Sequence, residues 1–302
     1  MTRSRVPLAQ YMQACRPEIE QRLDALVRCA NEDSGRIYEA MRYSLLAGGK
    51  RIRAILMMAV ADTLVDSHSH VLDAACALEM VHAYSLIHDD LPCMDNDDFR
   101  RGRPTSHRMF GEAMAVLAGD GLLTLAFDTL ARIAIEPPVT PERLLSCIGE
   151  IARGAGPDGM VGGQALDIAN TGNLAITKEL LQSIHSRKTG ALFRAAIRAS
   201  AILSGADEHT LARLSRYGEA IGLIFQIRDD ILDVIGDAEK TGKPAHSDAA
   251  KGKATYPSVV GMRESELLMS QVLSTGRRIL EEQGYAGTVL EELLGYAAAG
   301  DF

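Results

Sequence analysis

Five carboxylates fall within ten residues at Asp89-Asp90-Leu91-Pro92-Cys93-Met94-Asp95-Asn96-Asp97-Asp98. Their mutual repulsion calls for a partner, and hard oxygen donors suit Mg²⁺, which takes one or two protein carboxylates and completes its shell with water and phosphate oxygens. On a regular helix Asp89 shares a face with Cys93 and not with Asp95. Pro92 interrupts the helical hydrogen bonds, and a local bulge there would bring Asp95 round to Asp89. An acidic run alone is more often a solvated loop. The residues behind it shift the balance: Arg100, Arg101 and Arg103 follow directly, and guanidinium reads phosphate in a bidentate fork. A metal–diphosphate complex would occupy both groups at once.

A second constellation is Phe225-Gln226-Ile227-Arg228-Asp229-Asp230-Ile231-Leu232-Asp233. Asp229 and Asp233 are four apart and share a helix face, with Asp230 at its edge; like charges at that spacing destabilise a bare helix. Carboxylates set into an apolar helix imply a bound cation. The two motifs echo one another as Leu86-Ile87-His88-Asp89-Asp90 and Ile227-Arg228-Asp229-Asp230-Ile231. Weaker signals surround them. Gly48-Gly49-Lys50-Arg51-Ile52-Arg53 resembles an anion site at a helix start, though a plain helix start with exposed bases explains it too. His82 lies two turns before Asp89 on the same face. Arg187-Lys188-Thr189-Gly190, Gly242-Lys243 and Gly252-Lys253 each set a point charge beside a glycine. Gly159-Met160-Val161-Gly162-Gly163-Gln164, ahead of Asp167, reads as a bend that permits close helix approach.

The elements that carry these residues read as helices. Asp73–Asp90, Glu112–Ile135, Lys178–Leu203 and Glu208–Ile235 repeat apolar residues at three- and four-residue steps. Turn residues punctuate the chain at Leu46–Gly49, Glu136–Pro141, Asn170–Asn173, Gly205–Asp207, Gly236–Pro244 and Gly284–Gly287. No alternating β-branched run predicts a sheet. The expectation is one all-α domain over residues 1–302, with about ten helices.

Composition narrows the function. A net charge of −8 argues against a general nucleic-acid binder, and 5% aromatic residues with no Trp argue against base stacking. Cys15, Cys29, Cys76, Cys93 and Cys147 form no CxxC pair, which excludes the usual zinc spacings and favours a reducing compartment. The N-terminus is too polar for a signal peptide. The best apolar run, Ala54–Ala61, falls far short of a membrane span of ~18 residues. A soluble, cytoplasmic protein is expected.

GGKRIR, HAYSLIHDDLPCMDNDDFRRGRPTSH, GMVGGQALD, HSRKTGALFRAA, FQIRDDILDVIGD and GKATYP follow one another in order. Together they resemble the trans-polyprenyl diphosphate synthases over nearly the whole chain, most of all the bacterial farnesyl type. The resemblance implies helices around a deep central cavity, a homodimer, and head-to-tail condensation of isopentenyl diphosphate with allylic diphosphates. It implies about three Mg²⁺ ions, two held by Asp89 and Asp95 and a third by Asp229 and Asp233, with Asp90 and Asp230 as supporting ligands. Arg100, Lys188, Lys243 and Lys253 would hold the allylic diphosphate, and Lys50, Arg53, His82 and Arg101 the isopentenyl diphosphate. Thr189 and Gln226 would turn oxygens toward the developing allylic cation, leaving Lys188, Thr189, Gln226 and Lys243 as the catalytic set.

In such enzymes product length is read just before the first Asp motif, here at Tyr84 and Ser85. Tyr84 lies five residues, about 7.5 Å of helix, before Asp89. A ring there would floor the cavity and stop growth at C15. Two departures stand out: Ala54 where many relatives have Pro, and a C-terminus, Ala299-Gly300-Asp301-Phe302, without the usual basic tail. A C20 or C10 product would use the same chemistry. A terpene cyclase would not need the Lys50, Arg53 and His82 set, a silent partner subunit should have lost an Asp motif, and a di-metal oxygen-binding bundle lacks its Glu-x-x-His pairs.

Overall fold

The computed structural model describes residues 2–29, 32–173, 175–236 and 252–299. Fourteen α-helices run through them: α1 Leu8–Leu26, α2 Gly35–Leu45, α3 Ile52–Val65, α4 Leu72–Asp89, α5 Ser106–Phe110, α6 Glu112–Ala131, α7 Pro141–Ala155, α8 Met160–Ala169, α9 Lys178–His185, α10 Ala191–Leu203, α11 Glu208–Ile235, α12 Tyr256–Val260, α13 Met262–Glu282 and α14 Val289–Ala299. The all-α expectation holds. Part of the larger count comes from Lys178–Leu203, which reads as one stretch but is divided by a π-helical turn at Ser186–Gly190 into α9 and α10, and part from the five-residue α5 and α12, set off from the long helices after them by Gly111 and Gly261 at φ 86° and 87°. Among the described residues the sheet content is a two-residue ribbon, β1 Phe99–Arg100 against β2 Arg103–Pro104. It closes the Arg-Gly turn behind the first Asp motif.

Side chains start and stop the helices. Thr140, Thr177 and Asp207 accept from the backbone N–H groups of Arg143, Leu180 and Thr210 at the starts of α7, α9 and α11, as N-cap residues do. Gly236, left-handed at φ 82°, ends α11. Helices α3 and α4 are apolar all round, which predicts central burial. Ala54 through Asp62 and Ala74 through Val81 are indeed buried. Helix α6 is the one described helix long and apolar enough to cross a membrane by length and composition. It packs along α4, buries Ala115, Ala118, Leu122, Ala126 and Leu130, and leaves Val116 and Leu117 exposed.

Ala54 has a role that proline could not fill. Its backbone N–H donates to Glu79 Oε1 at 3.2 Å, and proline has no N–H. Glu79 is buried and also faces Arg51, which reaches Glu20 at 2.7 Å and the Leu45 carbonyl at 2.6 Å. Arg51 therefore knits α1, α2, α3 and α4 together.

Candidate active site

The first Asp motif ends a helix; no bulge forms within it. Helix α4 stops at Asp89. The chain then folds back on itself: the Met94 and Asn96 N–H groups donate to the Leu91 carbonyl, and Asp95 N–H donates to the Asp89 carbonyl at 2.8 Å. This turn sets Asp95 beside Asp89, and both line a cavity of about 200 Å³. The opposite wall comes from α11. Asp229 is exposed there and Asp230 buried, and both line the same cavity, with Asp233 buried one turn on. Burial raises the Asp89 carboxyl, Asp95 raises it further, and Lys188, Arg100 and Lys253 oppose both.

Each motif has an inner carboxylate whose oxygens are already engaged. Asp90, almost wholly buried, accepts Arg100 Nε at 2.9 Å and its terminal guanidinium nitrogen at 2.6 Å. Asp230 accepts the Gln226 amide through Oδ1 and the Tyr256 backbone N–H through Oδ2, both at 2.8 Å. Gln226 in turn accepts the Thr189 hydroxyl at 2.8 Å. Thr189, Gln226, Asp230 and the start of α12 thus form one chain of hydrogen bonds.

Lys188 and Thr189 sit in a π-helical turn, Ser186–Gly190, between α9 and α10. Such turns recur at functional sites because the extra residue re-aims side chains. Two glycines make room for it. A Cβ on Gly163 would lie 2.1 Å from the Lys188 backbone nitrogen, and one on Gly222 would lie 2.9 Å from the Gly190 Cα. Gly163 thereby lets α8 close in, and Asp167 one turn later pairs with Lys188 Nζ at 2.6 Å. Lys253, just ahead of α12, reaches Asp95 Oδ2 at 2.8 Å. Lys243 lies outside the described residues.

Of the four bases expected to hold the second diphosphate, Arg53 and His82 line a cavity and Arg101 lies against the double glycine. Arg101 donates to the Gly48 carbonyl, and its guanidinium lies against Gly49, where a Cβ would stand 2.8 Å away. The double glycine so admits a guanidinium. It does not open α3, which starts at Ile52. Arg53 lines the polar cavity with its guanidinium 4.7 Å above the Phe193 ring. Burial lowers it to about 10, with Glu79 raising and Arg101 lowering, and its Nε lacks a partner. His82 is pushed well below its usual range by burial and by Arg53, Arg101, Arg100 and Arg51. Lys50 holds its ammonium 5.9 Å over the Tyr296 ring of α14.

A second cavity, about 380 Å³, shares Arg53, Leu86, Asp89, Lys188 and Thr189 with the polar one. Its remaining wall is mostly apolar: Tyr84 and Ser85 of α4, Met160, Val161 and Ile168 of α8, and Leu192 of α10. Tyr84 is 6% exposed, and burial pushes its hydroxyl up to about 12, with Asp89 adding to it. Sequence alone assigns no role to Asp167 or to His185, which opens the HSRKTGALFRAA motif. Asp167 follows Gly163 by one turn, which was the available signal. His185 lies 4.0 Å from Asp230 Oδ2, and burial lowers it to about 4.

The donor set suits Mg²⁺. Asp89 and Asp95 offer oxygens from one wall and Asp229 from the other, hard donors of the kind Mg²⁺ takes. A cation shared between one wall and substrate phosphate oxygens matches that arrangement.

Comparison with known proteins agrees with this architecture. The family model for polyprenyl synthetase matches residues 34–284. A farnesyl diphosphate synthase of Geobacillus stearothermophilus is 44% identical over 89% of this chain and 90% of its own. A chloroplastic geranylgeranyl pyrophosphate synthase of Capsicum annuum is 44% identical over 81% of this chain, which spans 66% of that protein's length. The crystal structure of an FPP/GFPP synthase from Zymomonas mobilis superposes with a TM-score of 0.84 at 34% identity, over 96% of this chain and 98% of that one. This chain belongs to the polyprenyl synthetase family.

Proposed function

We propose that this protein is a Mg²⁺-dependent farnesyl diphosphate synthase, condensing isopentenyl diphosphate first with dimethylallyl and then with geranyl diphosphate. One observation carries the reading. Carboxylates from α4 and α11 face one polar cavity, and that cavity shares its wall with an apolar one bounded by Tyr84. A charged head and a growing hydrocarbon tail each have a compartment. The same bound supports C15. The C20 alternative rests on the equal identity of the pepper relative.

Asp89 and Asp95, with Asp229 and Asp233 opposite, would hold about three Mg²⁺, which supply charge neutralisation to the diphosphate. Asp90 and Asp230, their oxygens engaged, position Arg100 and Gln226. Arg100, Lys188, Lys253 and Lys243 hold the allylic diphosphate, and Lys50, Arg53, His82 and Arg101 the isopentenyl diphosphate. Preformed cations aimed at the departing diphosphate lower the barrier to ionisation without reorganising. As the C–O bond breaks, its electron pair leaves with the diphosphate. The oxygens of Thr189 and Gln226, fixed by their mutual hydrogen bond, face the allylic carbon. The isopentenyl double bond then adds to that carbon, where orientation contributes most. A proton is lost to the released diphosphate, and a closed site protects the cation from water.

The whole chain acts as one unit in this reading, as a homodimer in the cytoplasm; the exposed Val116 and Leu117 of α6 offer an apolar face to the second copy. The test is purified protein with Mg²⁺, isopentenyl diphosphate and dimethylallyl diphosphate, with chain-length analysis of the dephosphorylated products. Mainly C15 alcohol is expected. Mainly C20 would keep the chemistry and remove the floor. No product, with geranyl diphosphate also inert, would turn the reading to a silent subunit or a cyclase.

A further inference from the structure

Tyr84 does not line the apolar cavity alone. His88, one turn later on α4, lines the same cavity and meets the Tyr84 ring edge to face, with centroids 5.7 Å apart and planes at 76°. That geometry suits the ring quadrupoles and fixes one ring against the other. The His88 ring is itself seated in a notch of α6. Its Nε2 lies 3.1 Å from the Val116 carbonyl oxygen, the distance of an N–H donor to that oxygen. Gly119, buried in the middle of α6, forms the bottom of the notch. A Cβ built there would fall 2.1 Å from His88 Nε2. Glycine weakens a helix interior relative to alanine, and here the occupying ring accounts for it.

We propose that His88 and Gly119 are specificity-determining residues that set product length together with Tyr84: the α6 notch seats the imidazole, and the imidazole holds the tyrosine ring across the path of the growing chain. This rests on the transferase reading above and deepens it. Removing the ring frees Tyr84 to swing aside and lengthens the product. Filling the notch drives the ring out toward the cavity and shortens the product. Neither effect follows from a merely structural role, which would lower yield at constant length.

The experiment compares product lengths from wild type, His88→Ala, His88→Asn and Gly119→Ala under identical substrate concentrations. Both His88 variants should raise the C20 to C15 ratio by roughly tenfold, the scale set by loss of one aromatic pair. Gly119→Ala should accumulate C10. Asn keeps a donor for the Val116 carbonyl without the ring, so it decides the matter if His88→Ala fails to fold. Unchanged lengths in active variants beside a normally active wild type overturn this inference alone. A wild type that yields no prenyl product removes the transferase reading and this inference with it.

Discussion

Lys253 holds its ammonium 2.8 Å from Asp95 Oδ2, across 158 residues of sequence and with both side chains less than one-fifth exposed. A divalent cation that takes Asp95 as a ligand must displace this internal one, and the freed ammonium then stands ready for diphosphate. Lys253→Gln should therefore bind Mn²⁺ roughly fivefold more tightly in the absence of substrate, on the scale of a single partly exposed ion pair. The same variant should show a higher KM for the allylic diphosphate. Electron paramagnetic resonance of free Mn²⁺ reads the first effect without turnover. Unchanged or weaker Mn²⁺ binding would rule out the competition. Chelation of the wild type should abolish turnover, and Mg²⁺ should restore it.

The inner and outer aspartates should separate by phenotype. Asp90 is buried against Arg100, and breaking such a pair by removing one partner costs roughly 3 kcal/mol. Asp90→Ala should lower the melting temperature clearly. Asp229 is exposed at the cavity, so Asp229→Ala should melt as the wild type does, while kcat falls about 10² to 10³-fold with the loss of charge stabilisation. Calorimetry beside steady-state kinetics distinguishes them, and equal melting of the two variants would contradict the assignment.

How much of this the sequence disclosed depends on the range of the interaction. The long helices α4, α6 and α11 were legible because each is a local run of helix-forming, largely apolar residues. The pairing of Asp89 with Asp95 was legible in outcome through Pro92, but the means was not: the chain folds back through hydrogen bonds of Asp95 and Met94 to earlier carbonyls, which no spacing rule encodes. The π-helical turn Ser186–Gly190 breaks the stretch Lys178–Leu203, whose pattern reads as continuous. The engagement of Asp90 and Asp230 was invisible, since their partners lie on β1 and, for Asp230, partly on α12. Helical spacing placed Asp229 and Asp233 alike, yet one is exposed and the other buried. Burial of a single residue on α11 depends on what α9, α12 and α13 bring against it, and that is tertiary information.

Far from the site, His68 ties α1 to the end of α3. Its Nδ1 lies 2.6 Å from Asp62 Oδ2, which also accepts the Tyr11 hydroxyl at 2.6 Å, and its Nε2 lies 3.1 Å from Glu18 Oε2. Burial lowers the imidazole, but the Asp62 and Glu18 contacts outweigh it and the net shift is upward. A histidine raised in the folded state stabilises fully below its unfolded value of about 6.5 and loses that contribution as pH rises through the folded value. The wild type should therefore lose stability relative to His68→Gln as pH is raised from about 6.5, and the gap should be widest below it. Parallel melting curves at every pH would show that folding leaves the His68 titration unshifted.

Tyr84 faces the apolar cavity beside Ser85 and one turn before His88, with its ring almost wholly buried. If that ring ends the space for the tail, removing it leaves a void continuous with the cavity, and a chain already at C15 gains apolar contact by entering it. Burial of one isoprene unit amounts to several methylene equivalents at about 0.8 kcal/mol each, enough to hold the C15 product for another round. Tyr84→Ala should then shift the main product to C20 or longer while consumption of dimethylallyl diphosphate continues. Chromatography of the dephosphorylated alcohols checks it. An unchanged C15 product from an active variant would move the floor to other residues of the wall.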